Sequence, residues 1–576
     1  MNPKTHPLAV IQLKGTQEEM GRQFGEIMQE IGQFEPIFDF YPVMAQNLLL
    51  GSLPRNKRNA LSKATISFLV KAAQNRMRKT RPYEFSRRTL ASLQAAGRSE
   101  KIEKDLFTMD AFQNSIGILG MLHVLPELSK FVGRENLPQI AACTSVGVWG
   151  NQSRDGKLYH ARNFDFPGVG VWDVRPIVVF CTPEKGMKYG YVACRGADVP
   201  GITSFNEAGL TLAFHTRFHK KVGFDGLGVI DFGHKIISEA RSIRDAVDLA
   251  RRYKINSTWG AIVTNYKEKG PKAAIIETNY GDIDVTYSRP EKDSIINTNH
   301  YQSDRLRQGE ILAAPVFYHH CLARYERAQG LLDSQRKKGT DVKDLQQILD
   351  DTADADGGQK KTMGSTIRQI TSVKSVVMSP EAKKIYVSVG TAPTGSGPYL
   401  EIPMTWGPPG YKILETEKKK SKQKKNMTSS SSSISHYKNA MLINDDPTLG
   451  GTEDILKELR FASESEKGDP SLLFLQAVLQ MESGRLRSAE ELLEETYRLE
   501  GSPFRKQQAG LWLARTQSAL GKKASARQFY DSVLSTKNSP LGEVWKRKAI
   551  SDKGKYSLRK LKNVTPNFLL VDANEL

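Results

Sequence analysis

Apolar positions in the first 140 or so residues recur mostly at helical spacing. Thr16-Gln-Glu-Glu-Met reads as an N-cap with an acidic first turn, and Arg98 to Leu125 again follows a helical period. At Ala141 the pattern changes. Short β-rich runs appear, among them SVGVWG, KLYHARNFDF, PIVVFC and GLTLAFH, each bounded by Gly, Pro, Asn or Asp. A helical stretch spans Ile236 to Tyr253, and strands return in WGAIVTNY, KAAIIETN and DIDVTY. After a helix at about 316–334, SVKSVVMS and KKIYVSVG read as a last hairpin. Strands interrupted by helices predict an α+β domain in which helices cover sheets.

Lys418 to Ser435, KKKSKQKKNMTSSSSSIS, breaks this order. It is basic, then serine-rich, and reads as a solvated linker within 413–448 that has some capacity to touch an anionic surface. From 449 to 576 helix–turn–helix patterns return. SLLFLQAVLQM and AEELLEETY flank Gly484; AGLWLARTQSAL and ASARQFYDSVL flank Gly521. The spacing of these glycines is close to the roughly 34-residue tetratricopeptide period, so an all-α helical-repeat domain is expected. Because the chemical motifs end before the linker, a chain ending near Tyr411 is expected to work without this tail.

Composition narrows the class. A chain of 576 residues is too long for one core, and 39% hydrophobic with 25% charged residues is an ordinary globular balance. The net charge of +20 suits nucleic acid, a membrane surface or acidic substrates, but no zinc finger or P-loop accompanies it, and no nucleic acid partner is expected. Four cysteines without a CxxC pair give neither a disulfide framework nor a zinc site. Cys181 and Cys194 read as small buried hydrophobes. The opening MNPKTHPLAVIQLKGTQEEMG has no apolar leader, and Ile116–Leu128 is too short to span a bilayer. A cytoplasmic location is the default expectation. His319-His320 has no further ligands spaced near it and reads as a surface pair rather than a metal site.

The candidate chemistry sits where the pattern changes. Cys143 follows two alanines and opens the β-rich region, and the turn around Arg154-Asp155-Gly156 would fold Arg162 and Asp165 back beside it. An arginine there is expected to favour thiolate. No histidine base is evident. If the chain is cut before Cys143, the new α-amino group, with an ordinary pKa near ~8, serves as the base for its own thiol.

Cys143-Thr144-Ser145, a spacer, Asp155-Gly156-Lys157 and then Arg162-Asn163-Phe164-Asp165-Phe166 resemble the start of the mature β chain in acid ceramidase-like and isopenicillin N acyltransferase-like enzymes. Choloylglycine hydrolases share the Cys and RNxD core. The resemblance runs over roughly residues 8 to 410. It includes Gly15-Thr16, Glu19 and Gly21, then Asn206-Glu207 with Gly209-Leu210, Asn297-Thr298-Asn299-His300, and Ala323-Arg324-Tyr325-Glu326-Arg327. It implies an N-terminal-nucleophile (Ntn) hydrolase: a four-layer αββα sandwich that cuts itself and acts on linear amide bonds. Residues 1–142 would form a helical α fragment that stays bound, and 143–412 the catalytic core.

Carried over by position, Cys143 matches the nucleophile, and Arg162 and Asp165 match the pair that orients its thiol and amine. Asn256 and Asn299 compete for the oxyanion amide. Arg324 matches a late active-site arginine, with Arg305 as its competitor, and the backbone at His215 and Thr216 matches a second oxyanion donor. Two positions depart from the family pattern: Ala142 stands where glycine is common, and Cys321 where serine is common. The implied partner is a small-molecule amide, with no cofactor and no metal, and the tail offers a surface for a protein partner. The competing readings are an inactive scaffold that recruits proteins through the tail, and an acyl-coenzyme A-dependent transferase.

Overall fold

The computed structural model describes residues 7–31, 37–51, 59–122, 143–194, 196–311, 315–355, 358–415, 428–445, 448–537, 539, 541–552 and 556–575. Ala142 and the lysine-rich run 418–425 lie outside the described residues.

The N-terminal segment is not purely helical. It opens with β1 (Leu8–Gly15) and continues through α1 (Gln17–Glu30), α2 (Ile37–Gly51), α3 (Ala60–Arg78) and α4 (Tyr83–Ala95). A 3-10 stretch, Glu100–Phe107, then leads into α5 (Thr108–Leu122). Helical periodicity hid β1 because both of its faces are covered, so its residues do not alternate between apolar and polar. Thr16 does cap α1, in a reciprocal capping box with Glu19.

From Cys143 the chain builds β2 (Thr144–Gly150), β3 (Gly156–Asp165), β4 (Pro176–Pro183), β5 (Tyr189–Cys194), β6 (Thr203–Asn206) and β7 (Leu210–Thr216). The helical stretch read over Ile236–Tyr253 is two helices, α6 (Val229–Glu239) and α7 (Ile243–Arg252), divided where Ser242 caps the second. Then come β8 (Trp259–Asn265), β9 (Ala273–Asn279), β10 (Asp282–Tyr287), β11 (Ser294–Asn297), α8 (Pro315–Gln335) and α9 (Val342–Leu349). β12 (Ser372–Ser379) and β13 (Lys384–Ser388) form the expected hairpin, but β14 (Tyr399–Pro403) and β15 (Gly410–Leu414) follow it.

Two sheets result. One has nine strands in the order β10-β9-β8-β7-β6-β5-β4-β1-β15; the other has six, in the order β11-β2-β3-β12-β13-β14. β1 lies parallel to β4 and antiparallel to β15. The period of two along each strand sorts side chains to opposite faces. On β1 and β4, Leu8, Val10, Val178 and Phe180 meet Val376, Met378, Ile385 and Val387 of the other sheet. Their neighbours Ala9, Ile11, Ile177 and Val179 share a core with α1, α6 and α7. On the far side of the six-stranded sheet, Val146, Val148 and Val377 pack with Ala328, Leu332, Leu345 and Ile348 of α8 and α9.

The C-terminal part differs from expectation in three ways. The serine-rich half of the expected linker is a helix, α10 (Thr428–Asp445), with Ser433, Tyr437, Ala440 and Met441 buried. Ile434, Tyr437 and Met441 lie at helical spacing, and Tyr437 donates to the Phe568 carbonyl at 2.5 Å. Composition alone missed this stripe. After α11 (Thr452–Ser465), α12 (Pro470–Glu482), α13 (Leu486–Leu499), α14 (Pro503–Ala519), α15 (Lys523–Ser535) and α16 (Glu543–Asp552), the region ends in a β-hairpin, β16 (Val564–Asn567) and β17 (Asp572–Glu575), so it is not all-α. Two strands need support; here Val564 and Ala573 pack into the helical core. The two turn glycines behave as read. Gly484 and Gly521 have φ of 74° and 80°, and the next amides return to Gln480 and Gln517 at 2.9 Å, closing each helix.

The third difference is that the tail is packed into the preceding α+β region. Phe504, Leu511 and Trp545 share a core with Phe112, Phe218 and Phe317. Lys361 is buried between Asp354 and Glu500, and Thr362 N–H donates to Asp469 at 2.6 Å. This argues against a tail that can be removed without consequence. His319 and His320, expected at the surface, are buried: His319 stacks on Phe504 with ring centres 4.0 Å apart.

Candidate active site

The β2–β3 hairpin forms as the sequence suggested. Thr144 pairs with Asn163 and Ser145 with Arg162, which brings the end of β3 beside Cys143. Cys143 is 1% exposed. Its thiol faces the Asp165 carbonyl at 3.6 Å, and Arg162 Nη2 lies 3.8 Å from the sulfur. Burial pushes the thiol above its ordinary range; Arg162 opposes this without prevailing. Arg162 thus acts in the expected direction, but burial outweighs it. The guanidinium is itself fully buried. It is also shared among the Ile202 carbonyl, the Thr203 hydroxyl and the Phe214 carbonyl, the last at 2.5 Å.

Asp165 ends β3 and is fully buried. Ser372 donates to its Oδ1 at 2.5 Å, while Oδ2 has no hydrogen-bond partner among the described residues. Burial raises this carboxyl to about 7, against the pull of the Ser372 hydrogen bond, Arg324 and Arg162. Asn163 points away from the site, tied to the Leu349 carbonyl and to Ser375.

α8 carries Arg324 into the same frame. Its Nη1 donates to the Cys143 carbonyl at 2.6 Å and to Thr144 Oγ1 at 2.9 Å; its Nη2 donates to Asn299 Oδ1 at 3.1 Å. Cys321, one turn earlier, lies 3.6 Å from Nη2, so the thiol occupies an acceptor position. Asn299 in turn donates to Thr216 Oγ1 at 2.9 Å. The segment around it is anchored by Arg217, which donates to Asn297 Oδ1 at 2.7 Å and pairs with buried Glu277 at 3.2 Å.

The two asparagines thus part company. Asn299 is linked through Arg324 to Cys143. Asn256 donates to the Gly226 carbonyl at 3.2 Å, and its backbone carbonyl accepts from Asn114. Arg305 is half exposed and paired with Asp282 and Asp284, away from this network. His215 hydrogen-bonds Ser145 at 2.9 Å and is held well below its ordinary pKa, first by burial and then by Arg162 and Arg217. Among the described residues no histidine is a partner of the Cys143 sulfur. Sequence alone does not reveal Ser372 and Thr144 as partners of Asp165 and Arg324. Thr144 stood inside the quoted motif; Ser372 carried no signal, because only strand pairing brings it to Asp165.

Cys143 lies in the wall of a cavity. Its walls are mostly apolar and aromatic, with Phe164, Phe166, Trp172, Phe214 and Trp259 from the core, and Tyr41, Leu106 and Met109 from the N-terminal helices. Trp172 Nε1 donates to the Tyr41 hydroxyl, which donates to the Pro167 carbonyl at 2.9 Å. Among the described residues no cluster of three His, Cys, Asp or Glu is placed to hold a metal ion.

Two further motifs are scaffolding. A Cβ on Gly21 would lie 2.0 Å from the Arg88 carbonyl, so glycine lets α1 close on α4. Asn206 accepts from the Ala208 and Leu210 amides at 3.1 Å, folding the turn through Gly209.

Residues 151–392 match the family model described as acyl-coenzyme A:6-aminopenicillanic acid acyl-transferase. Over that stretch the chain is similar to this acyl-transferase group. The match begins beyond Cys143 and takes in Arg162, Asp165, Asn256, Asn299 and Arg324. No curated protein matches the chain. Among solved structures, a mutant of the conjugated bile acid hydrolase from Clostridium perfringens aligns at 14% identity with a TM-score of 0.35, covering 48% of this chain and 97% of that one.

Proposed function

We propose that this protein is a self-cleaving cysteine amidase of the Ntn type, built on a four-layer αββα sandwich. The observation that carries the reading is the position of Cys143: a buried thiol at the wall of an apolar cavity, between Arg162 and Asp165, with its own carbonyl held by Arg324.

In the first stage the Cys143 sulfur attacks the carbonyl carbon of Ala142. The C–N bond breaks, its nitrogen takes up the thiol proton, and a thioester joins Ala142 to the sulfur. Water hydrolyses the thioester, leaving a carboxylate on residue 142 and a free amino group on Cys143. That group, as ammonium, would take Asp165 Oδ2, which has no hydrogen-bond partner among the described residues, as its acceptor. In the second stage the neutral amine takes the thiol proton and the thiolate attacks a substrate amide carbonyl. Asn299 Nδ2 and a backbone N–H near Thr216 stabilise the oxyanion. The leaving amine takes the proton, and water releases the acid from the thioester. An acceptor amine in place of that water would make the same thioester an acyl-transfer intermediate.

The cavity fits an amide whose acyl group is bulky and apolar. Asn299 is preferred to Asn256 because Arg324 ties it to Cys143. The deciding experiment is a denaturing gel with mass spectrometry of the purified protein. Two fragments are expected, the larger beginning CTSVGVWG, while Cys143→Ala stays as one chain. Cleavage of that variant at the same bond would remove the thiol from the mechanism.

A further inference from the structure

The outer side of α3 has an unusual composition. Leu61, Phe68 and Leu69 are 76%, 70% and 59% exposed, and Val43 on neighbouring α2 is 57% exposed. Leu61, Thr65, Phe68, Ala72 and Lys79 recur at helical spacing along the solvent side, while Val70, Gln74 and Met77 face inward. Lys63, Lys71, Arg76 and Lys79 are exposed on the same helix. Between Asp39 and Glu84 the sequence has nine lysines and arginines and no acidic residue. Arg78 and Arg81 pair with Glu103 and Asp231. Lys63, Lys71 and Lys79 have no carboxylate partner among the described residues, and an apolar strip this open beside them is costly to leave in water.

The inner side of the same helix has a distinct role. Val70 packs with Ala45 and Leu49 of α2 and with Phe112 and Ile116 of α5. Gln74 donates to Thr108 at 2.8 Å and to Asp105 at 3.3 Å. The next layer inward, Tyr41, Leu106 and Met109, lines the cavity at Cys143. The basic, apolar face is therefore the outside of the helical roof whose inside is the cavity wall.

We propose that α3 docks this protein on a bilayer rich in anionic lipid. Leu61, Phe68 and Leu69 enter the acyl boundary, and Lys71, Arg76 and Lys79 lie among the headgroups. The charge pattern selects an anionic partner, and the aliphatic strip selects one with an apolar interior. A nucleic acid meets the first requirement and not the second. Docking there would bring the cavity roof against the membrane, where apolar amides partition. The proposal does not depend on the chemistry at Cys143, and it concerns a segment of the sequence distinct from the lysine run at 418–425.

The test is co-sedimentation of the full chain with phosphatidylcholine vesicles, with and without phosphatidylglycerol. Binding is expected to require the anionic lipid and to fall with salt. Phe68→Ser with Leu69→Ser should weaken it by about tenfold or more, and Lys71→Glu with Lys79→Glu by a similar factor. Both variants should keep the wild-type melting temperature, since these side chains face solvent. Replacing the lysines of 418–425 by serine should leave binding unchanged. Three results would overturn the proposal: no binding of wild-type protein to anionic vesicles, equal binding by the Phe68/Leu69 variant, or loss of binding in the 418–425 variant. Tight binding to a homopolymeric RNA that ignores the Phe68/Leu69 change would point to nucleic acid instead.

Discussion

At the scale of single residues, the uncut site is arranged to keep its reactive groups neutral. Burial raises both the Cys143 thiol and the Asp165 carboxyl, the latter to about 7 from an ordinary 3.8. Between those two pH values the folded chain holds a proton that the unfolded chain has released. Asp165 should therefore cost stability as pH rises from about 4 to about 7. In melting curves of Cys143→Ala, the midpoint is expected to fall over that range relative to Cys143→Ala/Asp165→Asn, which has no carboxyl there to ionise. Equal slopes would mean that Asp165 is already ionised in the uncut chain. The asparagines give a separate expectation. Asn299→Ala should lower turnover by about 10²–10³-fold, the usual worth of an oxyanion donor. Asn256→Ala should act mainly through the Gly226 turn that it braces. The reverse ranking in turnover assays of the processed enzyme would move the oxyanion role to Asn256.

At the scale of elements, α8 joins the two ends of the molecule. Arg324, on one side, holds the Cys143 carbonyl; His319, on the other, stacks on Phe504 of α14. The tail also supplies Glu500 to buried Lys361 and covers Phe112, Phe218 and Phe317. Removing it would expose these aromatics and loosen the helix that positions Arg324. A chain ended after Glu415, which retains β15, is expected to be insoluble or to remain uncut on a denaturing gel. A soluble truncated chain that cuts itself at the wild-type rate would show that the tail is dispensable. The opposite end of the chain is fixed by β1, which pairs with β4 along Ala9–Gly15 and with β15 along Leu8–Gln12. Under the proposed cut before Cys143, those ladders would keep the N-terminal fragment bound.

At the scale of the whole molecule, local signals in the chain were read well. The Thr16 cap, the β2–β3 hairpin, the turns at Gly484 and Gly521, and the cluster of Cys143, Arg162 and Asp165 depend on residues close in sequence, and the structure has each of them. The resemblance named Asn256, Asn299 and Arg324 together; in the structure Arg324 links Asn299, and not Asn256, to Cys143. What the sequence left open depends on contacts between distant segments. Lone strand β1 shows no alternation because helices and the second sheet cover both of its faces. The serine-rich helix looks like a linker until Tyr437 and Met441 find the helical core. The direction of the Cys143 shift follows from how completely the thiol and Arg162 are removed from water, which the order of residues does not state. Short-range hydrogen bonding and periodicity are written along the chain; burial, and with it the balance of charge at the site, exists only when remote segments exclude solvent together.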